Sequence, residues 1–249
     1  MVEITRKKSD NDSMNPYSKN GSSSFALGTQ ATFYLLEKMP KQARRIYISP
    51  LQTRDETYQR LRELAKQYKI PVIENNQKIF KELSGKDNTM VVGEFEKFQS
   101  DLDLSSNHVV LVNPMNMGNL GTIERCLVGF GIHDLAIITP SADPFDPKVV
   151  RASMGALFHL RIRLFSSFED YQSIAGTHHF YPFMLQAKSF LPQAQITSPW
   201  SLIFGNESTG LDPRFLSYGE PLKIPQTPDV DSLNLDNAVA IALYQFTCR

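Results

Sequence analysis

The chain holds only two cysteines, Cys126 and Cys248, in 249 residues. The first falls in an apolar helical pattern and the second is next to last. That argues against a disulfide and fits a reducing, cytoplasmic setting. No apolar run approaches the ~18 residues of a membrane span, so no membrane partner is expected. Residues 1–10 are charged with no hydrophobic stretch behind them, unlike a secretory leader. An excess of one charge is also missing: 26 Lys+Arg balance 26 Asp+Glu, so no whole-chain basic field marks a polyanion partner. The P-loop, HExxH, CxxC and GxSxG signatures are absent, and the five histidines do not fall at metal-ligand spacing. No metal is expected.

What remains is an ordinary globular composition, 41% hydrophobic and 21% charged, over a length comfortable for two domains. Charge is unevenly spread. Residues 1–105 carry 17 basic and 14 acidic side chains, against 9 and 12 in 106–249. Lys38, Lys41, Arg44 and Arg45 bunch beside the first expected strand, either a phosphate-binding cluster or an ordinary solvated face. Residues 1–23 are polar and read as a flexible lead-in. Helices are expected at 31–38, 56–68 and 77–83, with Leu61, Leu64, Ala65 and Tyr68 forming the apolar stripe of the second. Strands are expected at 45–48, 71–73 and 89–95. This is a small α/β unit over 24–97.

A polar connection at 96–107 precedes a second α/β domain, 105–249. Strands are expected at 109–112, 135–138, 160–164, 180–185, 202–204 and 222–224. Helices are expected at 120–130, 148–158 and 238–246. The alternation implies a mostly parallel sheet. The last helix is apolar almost all round, more than one fold buries, so a homodimer is expected.

Three segments stand out. In Asn116-Met117-Gly118-Asn119-Leu120-Gly121 … Arg125, glycines at a strand-to-helix turn permit close backbone approach, and Arg125 falls in the first or second helical turn. Gly118-Asn119-Leu120-Gly121 is not the dinucleotide fingerprint. Gly205-Asn206-Glu207-Ser208-Thr209-Gly210 places one carboxylate in a loop after a buried strand. Ile224-Pro225 and Asp231-Ser232-Leu233-Asn234 lead into the last helix with side chains suited to helix caps. Alone, each could be an ordinary turn, cap or surface charge.

In this order and spacing they resemble the SpoU branch of the SPOUT RNA methyltransferases, whose motifs run N-x-G-x-x-x-R, G-x-E-x-x-G and I-P … S-L-N. Arg151-Ala152-Ser153-Met154-Gly155-Ala156 also matches a family segment. The resemblance covers about residues 108–249. Residues 24–97 resemble, by layout, the small substrate-binding domain many members carry. The family's usual Asp-Pro is replaced by Asn116-Met117, which predicts a looser first-motif loop.

The resemblance implies a deep trefoil knot and methyl transfer from S-adenosylmethionine to a ribose 2′-hydroxyl of RNA, ribosomal RNA ahead of transfer RNA, by a homodimer. Gly205, Ile224 and Leu233 would contact the cofactor through their backbones. Arg125 would stabilise the developing alkoxide, since a guanidinium cannot serve as base. Asn119 and Ser232 would orient that guanidinium and the ribose. Asn234 would hold the closing loop, and Glu207 would anchor the second-motif loop. A non-catalytic RNA- or cofactor-binding relative and a small-molecule α/β enzyme are the alternatives.

Overall fold

The computed structural model describes residues 17–74, 76–84 and 89–248. The first unit comprises β1 (Ser23–Leu27), α1 (Thr29–Lys38), β2 (Ala43–Ile48), α2 (Glu56–Gln67), β3 (Val72–Glu74), α3 (Gln77–Ser84) and β4 (Val91–Glu96). Its sheet runs β1-β4-β2-β3, with β4 antiparallel to both neighbours and β3 parallel to β2. Asp55 starts α2 by accepting the Tyr58 N–H, as an N-cap should. Leu61 and Ala65 then bury against Ile46 and Ile48. Tyr68, expected on that stripe, falls beyond the helix as its cap and is exposed.

The second unit follows with β5 (His108–Val112), α4 (Met117–Gly129), β6 (Asp134–Ile138), α5 (Pro147–Ala152), β7 (Arg161–Phe165), α6 (Phe168–Ile174) and β8 (His179–Pro182). It closes with β9 (Ser189–Phe190), β10 (Trp200–Phe204), β11 (Leu222–Lys223) and α7 (Leu235–Thr247). Five strands form an all-parallel sheet in the order β7-β6-β5-β10-β8. Its strands are continuous apolar runs, such as Val109-Val110-Leu111, because both faces are covered. The amino edge is closed by a buried polar network. His108 Nδ1 meets Tyr171 Oη at 2.9 Å, Tyr171 meets Ser201 Oγ at 2.6 Å, and His178 Nδ1 meets Ser201 at 2.9 Å. The carboxyl edge stays open for loops, where α/β sheets hold ligands.

Two expectations fail. The helix expected over 148–158 stops at Ala152 and resumes as a 3-10 turn, Ala156–His159. Between them Met154 and Gly155 turn left-handed, at φ 54° and 83°. The break serves the contact between the two units: a Cβ on Gly155 would sit 2.8 Å from the Ala31 Cα of α1. Phe95 of β4 meets Phe158 edge-on at 5.1 Å across the same junction, within one apolar cluster spanning both units.

The flexible lead-in fails in part. Residues 1–16 lie outside the described residues, but 17–23 are built into the fold. Gly21 N–H closes a turn on Ser18 O, and Ser23 opens β1. Tyr17 Oη donates to Asp143 Oδ2 at 2.8 Å, and Lys97 Nζ donates to Ser18 O, Lys19 O and Asp143 Oδ2 at 3.0, 2.8 and 2.7 Å.

Gly155→Ala tests the junction. The added methyl meets backbone, and the left-handed conformation disfavours any side chain. Unfolding free energy should fall by about 1–3 kcal/mol. An unchanged denaturant midpoint would contradict this packing.

Candidate active site

The first-motif loop begins where β5 ends, and it is held from the outside. Asn113 lies at φ 53°, and its carbonyl accepts from Asn206 Nδ2 at 2.8 Å. The Met115 and Asn116 N–H groups donate to the Glu207 carboxylate, to Oε2 at 3.1 Å and Oε1 at 2.9 Å. A carboxylate offers two acceptor oxygens, so one side chain fixes two consecutive peptide groups. Asn116 then caps α4, its Oδ1 accepting from Asn119 N–H at 3.1 Å. The looser loop predicted from Asn116-Met117 is therefore not what forms. The Asn116 amide oxygen performs the capping a carboxylate would, Met117 stands at the first helical position, and Glu207 supplies the restraint.

The second motif turns tightly above β10. Asn206 Oδ1 accepts from Ser208 and Thr209 N–H at 2.9 and 3.2 Å. Gly205 has no room for a side chain, since a Cβ would lie 2.1 Å from the Gly210 carbonyl carbon and 2.3 Å from Leu211 N. The third motif joins the first directly. Asn119 Nδ2 donates to Asn234 Oδ1 at 3.3 Å, and Asn234 Nδ2 returns a bond to Asn119 Oδ1 at 3.2 Å. Asn234 Oδ1 also accepts from Leu235 N–H, which begins α7.

The second- and third-motif loops, with residues 183–186, enclose a half-open cavity of about 220 Å³. Gly205, Glu207, Ile224, Ser232 and Leu233 line it, five of the eight residues expected to form the site. Asn119 and Asn234 stand behind it as a paired brace. Arg125 does not line it. It lies in the third turn of α4 rather than the first or second, exposed, with no hydrogen bond or ion pair among the described residues. The expected orienting contacts from Asn119 and Ser232 to its guanidinium are absent among the described residues. Asn119 is engaged by Asn234 instead.

Sequence reasoning missed Phe183, Asn206 and Leu235 as lining residues. Phe183 stacks on Phe204, centroids 4.6 Å apart and 14° from parallel, and these are the two aromatic rings of the lining. No spacing marked Phe183, because β8 stops at Pro182 where a strand to Leu185 was expected. The basic cluster beside β2 is largely neutralised: Lys38 pairs with Glu37 at 3.5 Å, Arg44 with Glu96 at 3.4 Å and Arg45 with Glu94 at 3.1 Å. Lys41 has no ion pair among the described residues. The solvated-face reading fits three of the four.

This architecture matches known proteins. Residues 106–244 match the SpoU rRNA Methylase family, and residues 25–100 match the RNA 2'-O ribose methyltransferase substrate binding family. The chain belongs to the SpoU rRNA Methylase family. It is 32% identical over 149 residues to the 23S rRNA (uridine(2479)-2'-O)-methyltransferase of Streptomyces viridochromogenes, covering 55% of this chain and 50% of that protein. A Synechocystis protein named as an uncharacterized tRNA/rRNA methyltransferase is 33% identical over 146 residues, covering 55% of this chain and 51% of that one. The chain thus spans about half the length of these two curated relatives. Among solved structures, an AdoMet-bound rRNA methyltransferase from Sinorhizobium meliloti aligns with a TM-score of 0.78 at 25% identity, covering 90% of this chain and 86% of that one.

One residue of α4 has no counterpart in the expected site. Glu124, next to Arg125, is fully buried, and neither carboxyl oxygen has a hydrogen-bond partner among the described residues. Desolvation pushes its pKa well above the ordinary 4.5. Ser153 acts in the opposite direction, though its hydroxyl is donated to Val150 O at 2.9 Å. Burial therefore favours the protonated, neutral form of the carboxyl over the anion. In the unfolded chain it ionises near 4.5, so above that pH the folded state holds one proton more. Stability should fall as pH rises from there toward the folded pKa, by up to ~1.4 kcal/mol per unit. Glu124→Gln removes that dependence. Its stability advantage over the native protein should grow between pH 5 and pH 8 in denaturant titrations, and a constant difference would contradict a neutral Glu124.

Proposed function

We propose that the protein is an S-adenosylmethionine-dependent RNA ribose 2′-O-methyltransferase, acting on ribosomal RNA ahead of transfer RNA, as a cytoplasmic homodimer. The observation carrying this reading is the cavity itself: the second and third motifs, 205–210 and 224–234, wall a cleft set against the first-motif loop. The lining fits the cofactor. Gly205 lets backbone approach where a side chain could not fit, and the Phe183–Phe204 stack and Leu235 give apolar surface for an adenine and a thioether. Glu207 is the acidic side chain of the lining and suits a ligand bearing a sulfonium and an ammonium. Gly205, Ile224 and Leu233 would hold the cofactor through their peptide groups, within the knotted region the family resemblance implies.

When bound, the cofactor supplies an electrophilic methyl carbon. The residues here position and polarise. The ribose hydroxyl would give up its proton to solvent as its oxygen takes the methyl and the methyl–sulfur bond breaks, and the cleft residues would hold the two groups in line. Arg125 is effectively always protonated and lies outside the cleft lining, so its proposed role is that of a cation meeting the developing alkoxide or its neighbouring phosphate once RNA is bound. Its exposure and lack of a hydrogen-bond partner among the described residues leave its donors for RNA. Ser232, in the cleft without a hydrogen bond among the described residues, is placed to contact the ribose. Asn119 and Asn234 act through each other, holding the first-motif helix to α7.

The dimer reading rests on α7. Leu235, Val239, Ala242, Leu243 and Phe246 face the core, while Ile241 and Tyr244 are exposed, at 40% and 62%. These outward residues suit an isologous contact with a second copy.

Arg125→Ala should lower single-turnover methyl transfer to RNA by about 100–1,000-fold, the loss expected for one transition-state donor. Cofactor affinity by calorimetry should stay within a few-fold. Activity within tenfold of the native protein would overturn the role of Arg125. Cofactor binding by the native protein without transfer to ribosomal or transfer RNA would favour the non-catalytic relative.

A further inference from the structure

A second cavity, of about 560 Å³, lies apart from the cleft. There residues 17–23, the connection after β4 and the loop after β6 meet. Residues that line each cavity are bonded to the first-motif loop. On the cleft side, Asn113 O accepts from Asn206. On the far side, Asn113 Nδ2 donates to Pro140 O at 3.1 Å and Ala142 N–H donates to Pro114 O at 2.7 Å. Both cavities open at the carboxyl edge of the parallel sheet.

The lining of the second cavity is chemically mixed. Phe98 and Phe145 contribute rings 5.0 Å apart, and Lys19, Asn20 and Ser141 contribute polar groups. Ser141 is only 4% exposed, yet its hydroxyl makes no hydrogen bond among the described residues. That hydroxyl oxygen faces the open cavity, where a ligand group can replace water as its partner. The Asn20 amide is likewise unpaired among the described residues. The walls are rigid, because Lys97 spends its three N–H groups on Ser18 O, Lys19 O and Asp143 Oδ2, with side-chain exposures of 13% for Lys97 and 9% for Asp143. Asp143 is neutralised by that pair. Lys19 donates once, to Ser141 O at 2.9 Å, and keeps two N–H groups and its charge for a ligand.

We propose that this cavity is a subsite for an unpaired RNA nucleotide flanking the methylated one. Its base lies against Phe98, its edge meets the Ser141 hydroxyl and the Asn20 amide, and its phosphate meets Lys19. Unstacked bases are recognised by this combination of aromatic face, polar edge contacts and a cation. The inference rests on the RNA methyltransferase reading and deepens it by placing substrate at the joint between the two units as well as at the cleft.

The test uses the full chain and a pool of ribosomal RNA fragments carrying 4-thiouridine. Photo-crosslinked peptides should include residues 19–20, 97–99 or 139–145. Ser141→Val and Lys19→Gln should each weaken RNA binding about three- to tenfold, the value of one hydrogen bond. Cofactor affinity should remain within about twofold, which also reports that each variant is folded. Ser141→Ala supplies a smaller truncation should valine disturb the loop. Crosslinks confined to other segments, or unchanged RNA affinity in folded variants, would overturn the subsite. If the native protein neither binds cofactor nor methylates RNA, the broader reading fails instead. Transfer that persists beside unchanged RNA affinity overturns the subsite alone.

Discussion

Two backbone N–H groups, those of Met115 and Asn116, end on the single carboxylate of Glu207, and the site depends on that junction. The partners lie 92 and 91 residues apart in sequence, so neither loop could hold its shape by local rules alone. A helix start leaves peptide N–H groups without intrahelical partners and carries partial positive charge, so an acceptor of negative charge just ahead of α4 is favourable on both counts. The reciprocal amides of Asn119 and Asn234 add a second tie from the first helical turn of α4 to the cap of α7. Three loops with no apolar core of their own thereby become one surface.

That surface is braced from the other side by the joint between the two α/β units. The apolar cluster runs without interruption from Ala31 and Phe95 into Val109, Leu120 and Phe158. The Tyr17–Asp143–Lys97 contacts close the edge of the joint with charge and hydrogen bonds. The first unit is therefore packed against the loop after β6, itself bonded to the first-motif loop. A polyanion touching both units would meet fixed geometry rather than a tethered module. The neutralised arginines beside β2 agree with contact nearer the joint than on that outer face.

Much of this was legible in the sequence because it depends on local chemistry. The buried parallel strands show as Val109-Val110-Leu111 and Leu202-Ile203-Phe204. The glycine at 205 and the capping residue at 234 announce turns whose backbone demands few alternatives. Two of the failures have a common cause: they involve partners distant in sequence. Helical periodicity through 148–158 could not reveal that α1 requires a left-handed Gly155 against Ala31. The polar run before Ser23 gave no sign that Tyr17 and Lys19 would find Asp143 and Ser141 more than 120 residues later. The role of Glu207 was seen as an anchor, but its target in the first motif could not be. Arg125 was identified by motif, and its turn within α4 was misjudged because the helix begins at Met117, before the apolar pattern does.

The most direct test of the Glu207 junction is amide hydrogen exchange at Met115 and Asn116 in the native protein and in Glu207→Gln, followed beside cofactor affinity. Glutamine keeps one acceptor oxygen and presents an NH₂ where the other N–H needs an acceptor. If the carboxylate organises the site, at least one of the two amides should lose protection. Cofactor affinity should then fall about tenfold or more, as for a hydrogen bond to a charged group. Unchanged exchange at both amides together with native cofactor affinity would contradict the account.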